Sequence, residues 1–135
     1  MAKKQKIIII GAGFGGITMA NTLKNKNIDI LLIDQNNYHN FQPLMYQIAT
    51  GGLEPYSIAY PVRRIFRNRE NVRFRMTAVK SVDVESKQIK TTVGIFSYDY
   101  LIIATGSTTN FYDFESIKKI LFPLKSIPDA LNMRS

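Results

Sequence analysis

Gly11, Gly13 and Gly16 fall in a Gly-x-Gly-x-x-Gly pattern, and an acid, Asp34, follows 23 residues after Gly11 and 18 after Gly16. Such a loop turns tightly at its first glycine, admits a close-lying group at its second, and lets a following helix pack closely at its third. A helix opening inside it presents N–H groups without intrahelical partners and a partial positive charge, which suits a diphosphate. A carboxylate at the end of the next strand accepts hydrogen bonds from a ribose 2′-hydroxyl and repels a 2′-phosphate. The chemistry implied is the holding of an adenine dinucleotide by Gly11, Ala12, Gly13, Phe14, Gly15, Gly16 and Asp34. This pattern argues against an NADP-type ligand but does not separate FAD from NAD.

Two further stretches carry polar or small groups suited to a ligand. In Tyr38 to Gly52, the side chains of Gln42, Gln47 and Thr50 could turn amide and hydroxyl groups to a heterocycle. Pro43, lacking an amide hydrogen, is expected to end an element. By spacing alone, a ligand role and a structural role for this stretch stay equally open. Near residue 104 a buried strand ends in Ala104-Thr105-Gly106, whose small residues would let backbone approach a cofactor. His39 is the sole histidine, with no acid or second histidine arranged around it, so a metal site is not expected; a surface or hydrogen-bonded structural histidine is. With no cysteine, disulfides, thiolate metal sites and redox-active cysteine pairs are excluded within this chain. No residue is assigned a catalytic role.

These residues need a β-α-β unit to position them. Lys6 to Ile10 reads as a strand buried on both faces, its isoleucines continuous. Phe14 to about Lys26 reads as a helix with Ile17, Ala20 and Leu23 facing a sheet, and Ile28 to Ile33 as the second parallel strand. Ser57 is expected to cap a helix running to about Arg69, with Pro61 in its first turn, Ile58, Val62 and Ile65 on one face, and the arginines on the other. Val72 to Phe74 reads as a parallel strand. Val79 to Val84, Lys87 to Val93 and Ile95-Phe96 read as an antiparallel meander, with Val82, Val84, Ile89 and Thr91 inward. Ser116 to Leu121 is a short helix, and Phe122 to Leu131 leads into another.

The fold class expected is α/β: a Rossmann-like parallel sheet with crossover helices plus a small antiparallel β-meander, truncated. Residues 1–109 are expected to form the N-terminal part of a dinucleotide-binding domain. Residues 110–135 are expected to form a linker and the start of a missing region.

At 135 residues, the chain can bury one core but is small for a complete dinucleotide-dependent enzyme. Its 45% apolar and 21% charged residues are those of a globular protein. The net charge is +8, much of its excess spread between Lys3 and Arg75 with a concentration at Arg63, Arg64, Arg67, Arg69, Arg73 and Arg75. No recognition motif accompanies that charge, so nucleic acid is not expected as a partner. Met1 to Gln5 reads as a short polar leader, with no signal peptide. No run approaches the roughly 18 apolar residues of a transmembrane helix. The expected location is cytoplasmic, with peripheral membrane association left open.

Three blocks carry a family resemblance. They are Ile8-Ile9-Ile10-Gly11-Ala12-Gly13-Phe14-Gly15-Gly16, Phe41-Gln42-Pro43-Leu44-Met45-Tyr46-Gln47-Ile48-Ala49-Thr50-Gly51-Gly52-Leu53, and Tyr98-Asp99-Tyr100-Leu101-Ile102-Ile103-Ala104-Thr105-Gly106-Ser107. The chain resembles the amino-terminal part of a type II NADH dehydrogenase, the NADH:quinone oxidoreductase of the respiratory chain. That enzyme belongs to the two-dinucleotide-domain flavoproteins. The middle block is the most specific of the three.

The resemblance implies FAD at the first site, with residues 1–109 as the N-terminal part of an FAD-binding domain and residues 110–135 as a linker and the start of the missing NADH-binding region. Gly11, Gly13 and Gly16 would lie at the diphosphate and Asp34 at the adenosine ribose, where the family often has glutamate. Val79 would meet the adenine through its backbone. Gln42, Pro43, Leu44 and Thr50 would line the flavin end, and Ala104-Thr105-Gly106 would close over the cofactor. A complete enzyme would pass hydride from NADH to FAD and electrons to a quinone, at the cytoplasmic face of the membrane. Membrane association would run through a C-terminal part not in this chain. The 135-residue chain alone is expected to be inactive and to self-associate as a homo-oligomer. The alternatives are a non-catalytic nucleotide-binding module and another FAD-dependent oxidoreductase.

Overall fold

The computed structural model describes residues 3–135, the side chain of Glu115 excepted. Of the expected leader Met1 to Gln5, Met1 and Ala2 lie outside the described residues, and Gln5 already opens β1. In chain order the elements are β1 (Gln5–Ile10), α1 (Phe14–Thr22), β2 (Ile28–Asp34), β3 (His39–Asn40), α2 (Met45–Ala49), β4 (Ala59–Tyr60) and α3 (Val62–Ile65). There follow β5 (Val72–Met76), β6 (Val79–Asp83), β7 (Gln88–Thr91), β8 (Gly94–Ser97), β9 (Tyr100–Ile103), α4 (Glu115–Lys118) and α5 (Ile127–Arg134). Two compact units interleave along the chain. One takes the residues up to His39 together with Pro61–Gly106, the other Asn40–Tyr60 and Ser107–Ser135.

The first unit is built on a four-stranded sheet of order β5-β2-β1-β9, parallel throughout. The four isoleucines of β1 explain its central place, because each face of the strand buries two of them. Ile7 and Ile9 enter one core with Ala20, Ile30, Leu32, Val62, Phe66 and Val72, onto which Ile17 and Leu23 of the α1 segment pack. Ile8 and Ile10 enter a second core with Ile33, Ile89 and Tyr98. Each such buried isoleucine or leucine contributes about 1.5–3 kcal/mol relative to exposure. The meander of β6, β7 and β8 is antiparallel and covers the second core, as expected. Its inward face is narrower than the alternation suggests: Ile89 is fully buried, whereas Val82 is 37% and Val84 74% exposed.

Two helices are shorter than their sequence patterns. α1 stops at Thr22 because distant groups take the carbonyls at its end. Arg69 donates to Ala20 O at 3.2 Å and Leu23 O at 3.1 Å, and Asn71 Nδ2 donates to Leu23 O at 3.1 Å. The helix expected from Ser57 to Arg69 is reduced to Val62–Ile65, and Ser57 closes a 3₁₀ turn (Pro55–Ser57) instead of capping it. Pro61 is the residue before the helix, extended at ψ 126°. Arg69 is correspondingly half-buried, not part of a solvated arginine face.

In the second unit α2 packs against α5, with Met45, Ile48, Ile127 and Ala130 buried. Pro43 opens a 3₁₀ turn (Gln42–Leu44) that runs into α2, so it begins an element and does not end one. α5 starts with a capping box: Ser126 Oγ accepts from Asp129 N at 3.2 Å, and Asp129 Oδ2 accepts from Ser126 N at 2.8 Å. Arg134 closes the unit on Glu54 at 3.3 Å.

Candidate dinucleotide-binding site

In the first unit, the carboxyl ends of β1, β2 and β9 bring Gly11, Asp34 and Ala104 to one edge of the parallel sheet, the edge at which open α/β sheets bind ligands. β1 runs straight into the glycine loop. Gly11 N–H donates to Ile33 O at 2.7 Å and Ala104 N–H to Ile10 O at 2.8 Å, so the loop is anchored to both neighbouring strands.

The glycines divide by what surrounds them. Gly11 has φ +104°, and a Cβ there would strike the Ala104 backbone, 2.7 Å from its carbonyl carbon. A Cβ on Gly16 would strike the Gly11 carbonyl, 2.9 Å from its carbon, so this glycine sets how closely α1 meets β1. A Cβ on Gly13 would meet nothing within 4 Å. The open space therefore lies at the second glycine, where a diphosphate needs it, and the two crowded glycines are crowded by the protein itself.

α1 has Gly13 as its N-cap, no side-chain cap and no acid in its first turn. Its ladder begins with Ile17 N–H to Gly13 O at 3.0 Å. The N–H groups of Gly15 and Gly16 precede that bond, and these are the donors a helix end leaves for an anion.

Asp34 ends β2, half-buried. Its Oδ2 accepts the Ala12 N–H at 2.7 Å and its Oδ1 the Asn36 N–H at 2.8 Å. A carboxylate has about four lone-pair sites, so each oxygen keeps one for a sugar hydroxyl. Asp34 thus both ties down the loop and retains acceptors. Thr77 N–H donates to Asp34 O at 2.9 Å, which brings the chain entering Val79 past the same strand end.

The other sequence candidates are placed as follows. Ala104 is half-buried against Gly15, whose Cβ would sit 3.7 Å from that of Ala104, and Thr105 and Gly106 are exposed beyond it. Gln42, Pro43, Leu44 and Thr50 belong to the second unit. There Gln42 Nε2 donates to Leu124 O at 3.5 Å, and Thr50 Oγ1 bonds back to Tyr46 O at 3.0 Å. His39 makes a contact with the glycine loop that no local spacing in the chain signals. Its Nδ1 lies 3.3 Å from Ala12 O, and its ring meets Phe14 edge-on at 4.9 Å. Among the described residues there is no cluster of three or more His, Cys, Asp or Glu able to hold a metal.

The family model for pyridine nucleotide-disulphide oxidoreductases matches residues 5–135. The chain belongs to that family. It is 35% identical to the type II NADH:quinone oxidoreductase NdhA of Mycobacterium tuberculosis, over 97% of this chain and 29% of that protein. NDH2 from Plasmodium falciparum, solved in complex with RYL-552, superposes with a TM-score of 0.87 at 31% identity, over 97% of this chain and 28% of the other. The sulfide:quinone oxidoreductase of Aquifex aeolicus superposes with the same TM-score of 0.87 at 28% identity, over 96% and 30%. The chain thus spans under a third of the length of these relatives, and it is homologous to type II NADH:quinone oxidoreductases over that part.

Proposed function

We propose that this chain is the FAD-binding part of an NADH:quinone oxidoreductase. The observation that carries its dinucleotide part is the glycine loop at the carboxyl edge of the sheet, open at Gly13 and flanked by a carboxylate with lone pairs to spare, and membership of the pyridine nucleotide-disulphide oxidoreductase family favours FAD. Gly11 to Gly16 hold the diphosphate, with the N–H groups at the start of α1 as donors. Asp34 holds the adenosine ribose and Val79 meets the adenine. Ala104, Thr105 and Gly106 flank the cofactor. Bound FAD would supply the redox chemistry between NADH and quinone. The protein's share is orientation and exclusion of water. Residues 1–109 form the N-terminal part of the FAD domain in this reading, and 110–135 lead to the NADH-binding region of a longer protein.

Quinone is favoured as acceptor by the type II relatives. The chain has no cysteine, so a thiol-based acceptor would need residues from outside it. No helix among the described residues is long and apolar enough to cross a membrane. The parent protein, in this reading, lies at the cytoplasmic face and attaches peripherally. Exposed Tyr112, Phe114, Ile120 and Phe122 support self-association of the 135-residue chain. A sedimentation profile that stays monomeric at high concentration overturns that part.

The test of the cofactor is titration of the chain with FAD and with NAD, followed by flavin fluorescence and heat of binding. Preferential binding of FAD is expected, and tighter binding of NAD sinks the assignment. NADH-dependent quinone reduction by the parent protein tests the reaction, and activity with other acceptors only would refute quinone.

A further inference from the structure

We infer that His39 is a positioning residue for the diphosphate loop, an assignment that rests on the FAD reading above. Ala12, 2% exposed, is gripped at both of its backbone polar groups. Its N–H donates to Asp34 Oδ2 at 2.7 Å, and its carbonyl faces His39 Nδ1 at 3.3 Å. A carbonyl oxygen only accepts, so Nδ1 must carry the ring proton. Phe14, two residues further along the loop, meets the same imidazole edge-on at 88°, which fixes the plane of the ring from the loop side.

The consequence falls on the next residue. The Ala12 carbonyl and the Gly13 N–H belong to one peptide unit, and no peptide bond among the described residues is cis. In a planar trans peptide these two groups point in opposite directions. By holding the carbonyl, His39 turns the Gly13 N–H away from itself and locks the peptide at the glycine that has open space around it. Asp34 fixes the preceding peptide unit. The two side chains, from the end of β2 and from β3, together present the loop with its donors already aimed. Pre-aimed donors spare a ligand the entropy of ordering them.

His39 is the only histidine, so its ring nitrogens can be read directly by ¹⁵N nuclear magnetic resonance. At a pH where the ring is neutral, protonation at Nδ1 is expected, and a ring protonated at Nε2 overturns the contact. FAD titrations of three variants then test the role. An asparagine amide nitrogen overlays Nδ1, whereas a glutamine amide nitrogen overlays Nε2. Loss of one such hydrogen bond predicts about five- to tenfold weaker FAD binding for H39A and H39Q, with H39N within about twofold of the parent. Equal binding by H39A and the parent overturns the inference. So does an equal loss in H39A and H39N that tracks an equal fall in melting temperature, the mark of a packing role. If the parent chain binds no FAD while Nδ1 is protonated, the FAD reading fails and this assignment fails with it.

Discussion

The Asp34 carboxylate reaches across 22 residues of sequence to accept the Ala12 N–H at 2.7 Å, so the acid expected to read a ribose is also a strut of the loop that would hold the diphosphate. Removing it should therefore do two things at once. D34A should cost about 1–2 kcal/mol of stability through the lost hydrogen bond to a half-exposed charged group, and weaken FAD binding by about tenfold or more. Urea denaturation and flavin titration measure the two effects separately. A loss of stability with undiminished FAD affinity would restrict Asp34 to the structural role.

The glycines should separate in the same pair of measurements. G16A drives a Cβ into the Gly11 carbonyl, so α1 must move away from β1, at a cost of about 1–3 kcal/mol or more. Gly13 has φ −77° and no neighbour for a Cβ, so G13A should leave stability within about 0.5 kcal/mol. Its FAD binding should nonetheless fall, because the added methyl occupies the space proposed for the diphosphate. Parent-like affinity in G13A would displace the diphosphate from this loop.

Arg69 offers a prediction independent of any cofactor. Its guanidinium donates to the Ala20, Asn21 and Leu23 carbonyls and to Asn71 Oδ1, closing the end of α1. R69A should destabilise the chain by about 1–2 kcal/mol, and R69K should recover only part of this, since an ammonium cannot reproduce the planar fork. Chemical denaturation of both variants is the check, and a neutral R69A would show that these contacts are idle.

Acid should loosen α5. Burial pushes the Asp129 carboxyl up. The Ser126 hydroxyl and the backbone N–H groups of Lys125 and Ser126 outweigh it and hold the group below its usual 3.8. A carboxyl lowered on folding adds stability that is full above the unfolded value and is lost as pH falls from there through the folded one. Amide hydrogen exchange across Ile127–Arg134 should therefore accelerate as pH drops below about 4 relative to the ordinary trend, and D129N should abolish that excess. Asp83 is held low by the Ser86 backbone N–H in the turn after β6, so acid-sensitive exchange in that turn should persist in D129N. Protection of α5 unchanged down to pH 2 would refute the cap's contribution.

The sequence by itself determined what depends on near neighbours. Four consecutive isoleucines make a strand with two apolar faces, and the Gly11, Gly13 and Gly16 spacing makes a loop that opens a helix. Turn residues between short apolar runs make the meander. Tertiary structure decided what depends on residues far apart in the chain. Arg69 and Asn71, 46 to 49 residues beyond the carbonyls they bond, end α1 where its periodicity would have carried it on. β6 ends at Asp83, so Val84 falls in the following turn and stands in solvent despite its apolar alternation with Val82. Ala12 is held by Asp34 and His39, 22 and 27 residues away, because parallel pairing of β1 with β2 sets the glycine loop beside the end of the neighbouring strand. Local pattern can name a loop and an acid. Only the register between strands brings them within a hydrogen bond of each other.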